Sequence, residues 1–241
     1  MLKIFLGSLP SFLFLFVIFA CEKTEEKSQL VDYDGHIYET AKFGNQEWMT
    51  ENLKVTHYRD GTPISHVTNG IAWTALTSEA YSIYNNNTTE EVNTYGALYN
   101  WHAVIDTRIL APSGWHIPTD TEWKELELHL GMSQNQVDSI SWRGTDQGSM
   151  LAGNADLWKN GALQNNPKFG NSGFNAIAGG YRNFNTGTYD LIGENAYFWS
   201  FSEHVSNKNN AWVRILGYDN SEVNRGSTLK GNGFAIRCIR D

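Results

Sequence analysis

Between Trp199 and Asn232 the chain interleaves aromatic, amide and charged side chains, with Trp199, Glu203, Trp212, Arg214, Tyr218, Asn224 and Arg225 as the candidate ligand-binding residues. Aromatic rings give contact area, amides give adaptable hydrogen bonds and guanidinium groups give directional ones, so this mixture suits recognition. The same residues have a second reading, in which Trp199 and Trp212 belong to the core and the asparagines are turn residues. Reactive chemistry finds less support. A zincin-type hydrolase needs two histidines one helical turn apart, and His102, His116 and His129 lie too far apart in sequence. A Gly-x-Ser-x-Gly elbow is absent, and Gly144-Thr-Asp-Gln-Gly148 lacks the lysine of a phosphate-cradling loop, which leaves a turn with a helix cap at Thr145. Carboxylate pairs such as Asp190 with Glu194, or Asp219 with Glu222, are what any acidic chain offers. No catalytic residue and no metal ligand is assigned.

The elements that must carry these residues are short. Asp34-Gly35 and Gly44-Asn45 are two-residue hairpin signals between β-branched and aromatic residues, which predicts a three-stranded meander at the start of the domain. Leu98, Trp101, Val104 and Ile105 fall at helical spacing behind Thr94 as a cap, predicting a first helix over 94–105. Thr119-x-x-Glu122 is a capping box, with Trp123, Leu126 and Leu130 on one face before Gly131. Ser133-x-x-Gln136 repeats the box, with Met132 and Val137 placed as a hydrophobic staple. Strand candidates then recur at 174–178, 196–200, 211–216 and 234–239, separated by long loops rich in glycine and asparagine. Helices followed by a late cluster of strands make this an α+β chain.

Composition agrees. Nine tryptophans, eleven tyrosines, twelve phenylalanines and 22 glycines describe an aromatic, turn-rich domain rather than a helical bundle. The net charge of −8 and the lack of a Lys/Arg cluster exclude a nucleic-acid groove.

The first residues speak of location. Residues 1–20 read as a signal peptide, with Lys3 ahead of an apolar run from Ile4 to Phe19 that is short for a membrane span and contains Pro10. Ala20-Cys21 resembles the end of a bacterial lipobox, which predicts Cys21 as a lipidated N-terminus; the alternative is an uncleaved anchor with an incidental cysteine. Phe19 is larger than the residue usual at that position. Residues 21–30 then form a tether, Glu22-Lys-Thr-Glu-Glu-Lys-Ser-Gln29 having nothing apolar to bury. The domain occupies 31–241. With Cys21 committed to lipid, Cys238 is left without an intramolecular partner and is expected to be a buried, inert thiol.

Two stretches carry a family resemblance: Pro112-Ser-Gly-Trp-His-Ile-Pro-Thr-Asp-Thr-Glu-Trp123 and Gly231-Asn-Gly-Phe-Ala-Ile-Arg-Cys-Ile-Arg-Asp241. With them the chain from Asp32 to Asp241 resembles the Fibrobacter succinogenes major paralogous domain, a bacterial surface module related distantly to formylglycine-generating enzyme and the C-type lectin fold. The resemblance implies a C-type-lectin-like α+β fold, short helices in the first half, and antiparallel strands with long irregular loops. It also implies a cysteine just before the Pro-x-Gly-Trp stretch, paired with the one near the C-terminus; this chain has Ala111 there. The oxidase chemistry of formylglycine-generating enzyme depends on a late pair of reactive cysteines, and this chain has neither. Calcium-type sugar binding lacks its Glu-Pro-Asn, Gln-Pro-Asp or Trp-Asn-Asp phrase, so no cofactor is assigned, while a structural calcium on loop oxygens stays open. In related lectin-like proteins the late region is a scaffold for variable recognition surfaces, and acidic residues after a lipidated cysteine resemble a signal for display outside the outer membrane.

The expectation is a lipid-anchored outer-membrane protein, displayed on the cell surface, that recognises a glycan or surface polymer without catalysis. A structural or protein-binding lipoprotein and a polysaccharide-active enzyme with unplaced carboxylates are the rivals.

Overall fold

A computed structural model describes residues 1, 29–86 and 89–241. The expected lipobox with Cys21 and most of the expected tether lie outside these residues. The helices are α1 (Gly70–Thr74), α2 (Thr89–Tyr95), α3 (Trp101–Val104), α4 (Asp120–His129), α5 (Gln134–Asp138), α6 (Gln147–Leu151) and α7 (Ala162–Asn165). Among the described residues none is long and apolar enough to cross a membrane.

Among the described residues the strands form four sheets. β1 (Leu30–Val31) and β2 (Ile37–Tyr38) make a first antiparallel hairpin. β3 (Thr40–Phe43) and β4 (Gln46–Met49) make a second, which belongs to a different sheet, so the expected three-stranded meander is two hairpins. β5 (Tyr81–Ser82) pairs with β6 (Leu98–Tyr99). β7 (Trp115–His116), β8 (Ser141–Arg143), β9 (Gly179–Arg182), β10 (Tyr189–Ile192), β11 (Asn195–Glu203), β12 (Asn210–Gly217), β13 (Val223–Leu229) and β14 (Ile239–Arg240) complete the set. The largest sheet runs β10-β9-β11-β12-β13-β8, and β14 enters the second sheet between β4 and β7. Pairing is antiparallel except for β11 with β9. The result is a mixed α+β architecture of several antiparallel sheets and short helices. Arg240 faces Trp115 across β14 and β7, which joins the two stretches that carry the family resemblance.

Both capping boxes form as the sequence requires. Thr119 accepts from the Glu122 amide while Glu122 returns a bond to the Thr119 amide, and Ser133 with Gln136 does the same. Trp123, Leu126 and Val137 are buried behind them. The helix expected over 94–105 is broken: α2 stops at Tyr95, Gly96 takes a left-handed φ of 74°, Leu98–Tyr99 pairs as a strand, and Asn100 caps a new short helix. α6 begins at Gln147 with Asp146, not Thr145, at the cap position. Residues 174–178 hold only an isolated bridge at Ala176, and 234–239 is strand only at its end.

Alternate residues of β11 divide the interior, as strand geometry demands. Trp199 enters a cluster with Trp101, Trp115, Phe234, Ile236 and Cys238, while Phe198 enters one with Trp48, Trp123, Phe174 and Leu216. Cys238 is a free, fully buried cysteine whose thiol pKa burial raises, as its apolar setting in sequence requires.

Candidate functional site

The late strands place the expected ligand-binding residues in three different settings. Trp199 is 0% exposed, its indole N–H donates to Tyr99 O at 2.8 Å, and its ring lies 4.5 Å from Phe234, so it is a core residue rather than part of a face. Arg214 and Arg225 oppose each other across β12 and β13 and both turn toward α4. Arg214 reaches Glu127 Oε1 at 2.6 Å and Asp120 Oδ1 at 2.8 Å; Arg225 binds Asp120 at 2.9 and 2.6 Å; Arg143 binds Glu127 Oε2 at 2.5 Å. Asp120 and Glu127, two turns apart on α4, thus hold three guanidinium groups of the sheet. Burial alone would raise the Asp120 carboxyl, but the hydrogen bonds of Arg225 and Arg214 and their charges pull it down to about 2. Both arginines are therefore committed to buried ion pairs and are not presented to a ligand.

The remaining candidates are half-buried and split. Trp212 lies between the Arg225 guanidinium, 3.8 Å from its ring, and His204 at 4.9 Å, so it is covered rather than an open platform. Glu203 is paired with Lys208 and Lys230 at 2.5 Å each. Tyr218 sits under Lys159 beyond the other end of β12, about 20 Å along the strand from Trp212. Asn224 is opposite Trp142. These side chains do not converge on one site.

A cleft of about 490 Å³ does gather several polar side chains, with Leu157 and Ile177 among them, elsewhere in the fold. Glu39, Glu51 and Asn52 follow the β2 to β4 hairpins, Asn93 comes from α2, and Asn154 and Asn175 flank a bridge between Ala152 and Ala176. Both Asn154 and Asn175 have left-handed φ, at 51° and 57°, a conformation asparagine tolerates better than most residues. Gly153 is required between them, because a Cβ there would lie 2.6 Å from the Asn175 Cα.

The cleft floor is Arg237, 1% exposed. Its Nε donates to Asn52 Oδ1 at 2.7 Å, Nη1 to Phe174 O at 2.7 Å and Met49 O at 3.3 Å, and Nη2 to Asn175 O at 2.9 Å. All four acceptors are neutral. Burial lowers its pKa, to about 9, with Glu51 opposing. Asn52 extends this floor by donating to Tyr95 O at 2.8 Å, which ties the arginine to the end of α2. Glu51 Oε1 accepts the Glu39 backbone amide at 3.1 Å, and its Oε2 accepts from Lys54 Nζ at 3.2 Å. Asn93, Asn154 and Asn175 are exposed around it. Such a lining offers amide donors and acceptors with carboxylate acceptors to a ligand rich in hydroxyls.

Carboxylate–imidazole pairs occur outside the cleft. Asp34 holds His57 Nδ1 at 2.6 Å with Thr56 beside it, and His116 lies between Glu122 and Asp241 at 2.7 Å each. Among the described residues no hydrogen bond joins His57 to Ser113, the hydroxyl that borders the same small cavity. Among the described residues no cluster of three or more His, Cys, Asp or Glu side chains is arranged to hold a metal ion.

Sequence reading missed the cleft because its residues come from segments far apart. The available signal was Arg237 itself, a charge between Ile236 and Cys238 in a stretch otherwise built for burial. The sequence profile of the Fibrobacter succinogenes major domain matches residues 41–240. No curated protein and no solved structure matches the chain.

Proposed function

We propose, from the premise that the chain belongs to the Fibrobacter succinogenes major domain family, that it is an envelope lipoprotein which binds a neutral, hydroxyl-rich glycan or surface polymer without transforming it. Cys21 carries the lipid, the outer membrane holds it, and the domain faces outward. The fold is read as C-type-lectin-like, a reading supported by the α+β order and by the closing strand β14 lying between early strands β4 and β7.

The observation that carries the binding reading is the Arg237 floor. A buried guanidinium with only neutral acceptors holds the Asn52 side chain and the Asn175 backbone carbonyl, which fixes the backbone that carries the exposed Asn175 side chain, and a group on a pre-fixed backbone binds with less ordering cost.

Thermal unfolding across a panel of neutral and acidic glycans tests this. A ligand at a hundred times its Kd raises the melting temperature of a domain this size by about 5–10 °C. The expected result is a shift with a neutral glycan. No shift with any glycan, together with capture of one specific protein, would replace the glycan by a protein partner. Protease shaving of intact cells tests display, which an untouched protein would refute.

A further inference from the structure

A second cavity, about 470 Å³, is almost wholly apolar where the first is mixed. Ile105, Ile109 and Phe201 line it and stay 41%, 44% and 47% exposed, with Leu110, Ala111 and Ile117 beneath them. These three large apolar side chains share one groove with almost no polar surface between them. Ile109 has a φ of 63°, a conformation β-branched residues rarely take, held by its N–H on Asp106 O and by the Arg59 amide on its carbonyl.

The place of this groove decides what covers it. Gln29, where the continuous described chain begins, borders a cavity with Ser113, Gly114 and Trp115. Val31 and Tyr33 border another with Leu110 and Ala111, the same two residues that line the groove. Both Val31 and Tyr33 are exposed. The tether therefore enters the domain at the loop that builds the groove. From Cys21 to Gln29 the backbone spans at most about 30 Å when fully extended, so a lipid on Cys21 keeps this loop within reach of the bilayer surface.

We propose that the groove, with Val31 and Tyr33, is a second membrane contact that rests on the acyl-chain boundary of the bilayer in which Cys21 is anchored. This rests on the lipoprotein reading above. Apolar insertion supplementing a covalent lipid is the two-signal arrangement that makes anchoring stable. The charged groups beside the groove are paired, Asp106 with Arg108 and His116 with Glu122 and Asp241, and the chain carries −8 overall. Contact is thus apolar rather than electrostatic: it needs no anionic lipid and resists salt.

The test uses the full lipidated chain in phosphatidylcholine vesicles containing lipids with brominated acyl chains. An environment-sensitive dye is attached to Ile109→Cys or Phe201→Cys, with Ile71→Cys as the control, since Ile71 is 83% exposed on α1, where the adjoining Gly70 packs against Gly187. Cys238 is buried and stays unlabelled. The expected result is quenching several-fold greater at 109 and 201 than at 71, unchanged between low and high salt. Equal quenching at all three positions overturns the proposal, as does cross-linking between copies from position 109 in place of lipid quenching. Mass spectrometry of the mature protein separates the two readings: an unacylated Cys21 overturns the anchor and this contact together, whereas an acylated Cys21 with unquenched labels overturns the contact alone.

Discussion

Arg225 closes on Asp120 through two hydrogen bonds, Nε to Oδ1 at 2.9 Å and Nη2 to Oδ2 at 2.6 Å, while the guanidinium face covers Trp212 at 3.8 Å. One side chain thus ties α4 to β13 and covers an indole that would otherwise be open. Replacing Asp120 by Ala leaves Arg214 and Arg225 without their shared carboxylate. Removing one partner of a buried pair costs about 3–5 kcal/mol, so Asp120→Ala should lower the melting temperature by about 10 °C. A change within the scatter of the wild type would show that the pair contributes little.

The same carboxylate sets an acid limit. Its folded pKa of about 2 lies below the ordinary value of 3.8, so its contribution is present above pH 4 and is lost as pH falls toward 2. The shift corresponds to about 2 kcal/mol. Urea unfolding at pH 5 and pH 2.5 should show a loss of stability that shrinks in Asp120→Asn; equal losses in both proteins would assign the acid sensitivity elsewhere.

His116 behaves in the opposite sense. Burial lowers its pKa, but the hydrogen bonds its ring donates to Glu122 and Asp241, with their charges, outweigh this and raise it above 6.5. Its stabilising contribution is therefore full below pH 6.5 and fades as pH rises through the raised value. Proton NMR titration of the ring should give a midpoint above 6.5 that falls in Glu122→Gln. A midpoint at or below 6.5 would contradict the two-carboxylate arrangement.

Arg237→Met keeps the volume of the cleft floor and removes its donors. Asn52 Oδ1 and the carbonyls of Met49, Phe174 and Asn175 then lose their partner. A buried unsatisfied acceptor costs about 1–3 kcal/mol, so the variant should be destabilised by at least about 3 kcal/mol in denaturant unfolding. A cost below about 1 kcal/mol would mean that Arg237 does not organise the floor.

What was legible in sequence was local. The two capping boxes, the long strands β11 and β12, the α+β class and the lone buried cysteine follow from spacing and composition, since each depends on residues near one another. Failures came where tertiary pairing overruled periodicity: Leu98 looks helical with Trp101, Val104 and Ile105, but Gly96 and Asn100 cut the pattern and β5 claims Leu98 and its neighbour Tyr99. Trp199 and Trp212 look alike on a late strand, and only the sheet's two faces separate a core ring from a covered edge one. Arg214 and Arg225 looked free because their carboxylates are over eighty positions away. Of the cleft only Arg237, a charge inside an apolar stretch, gave a local signal, since nothing local links it to Asn52, Asn154 and Asn175.

The measurement that bears most directly on the binding account is calorimetric titration of a neutral oligosaccharide that shifts the melting temperature, into three proteins: wild type, an Asn154→Gly/Asn175→Gly double variant, and Trp212→Ala. Glycine accepts the left-handed backbone of both asparagines, so the double variant removes cleft amides while keeping the turn conformation. Binding should fall at least tenfold in the double variant and stay within about twofold of wild type in Trp212→Ala, a difference of roughly 1 kcal/mol. Undiminished binding in the double variant with loss in Trp212→Ala would place recognition on the late strands and contradict the assignment of the cleft.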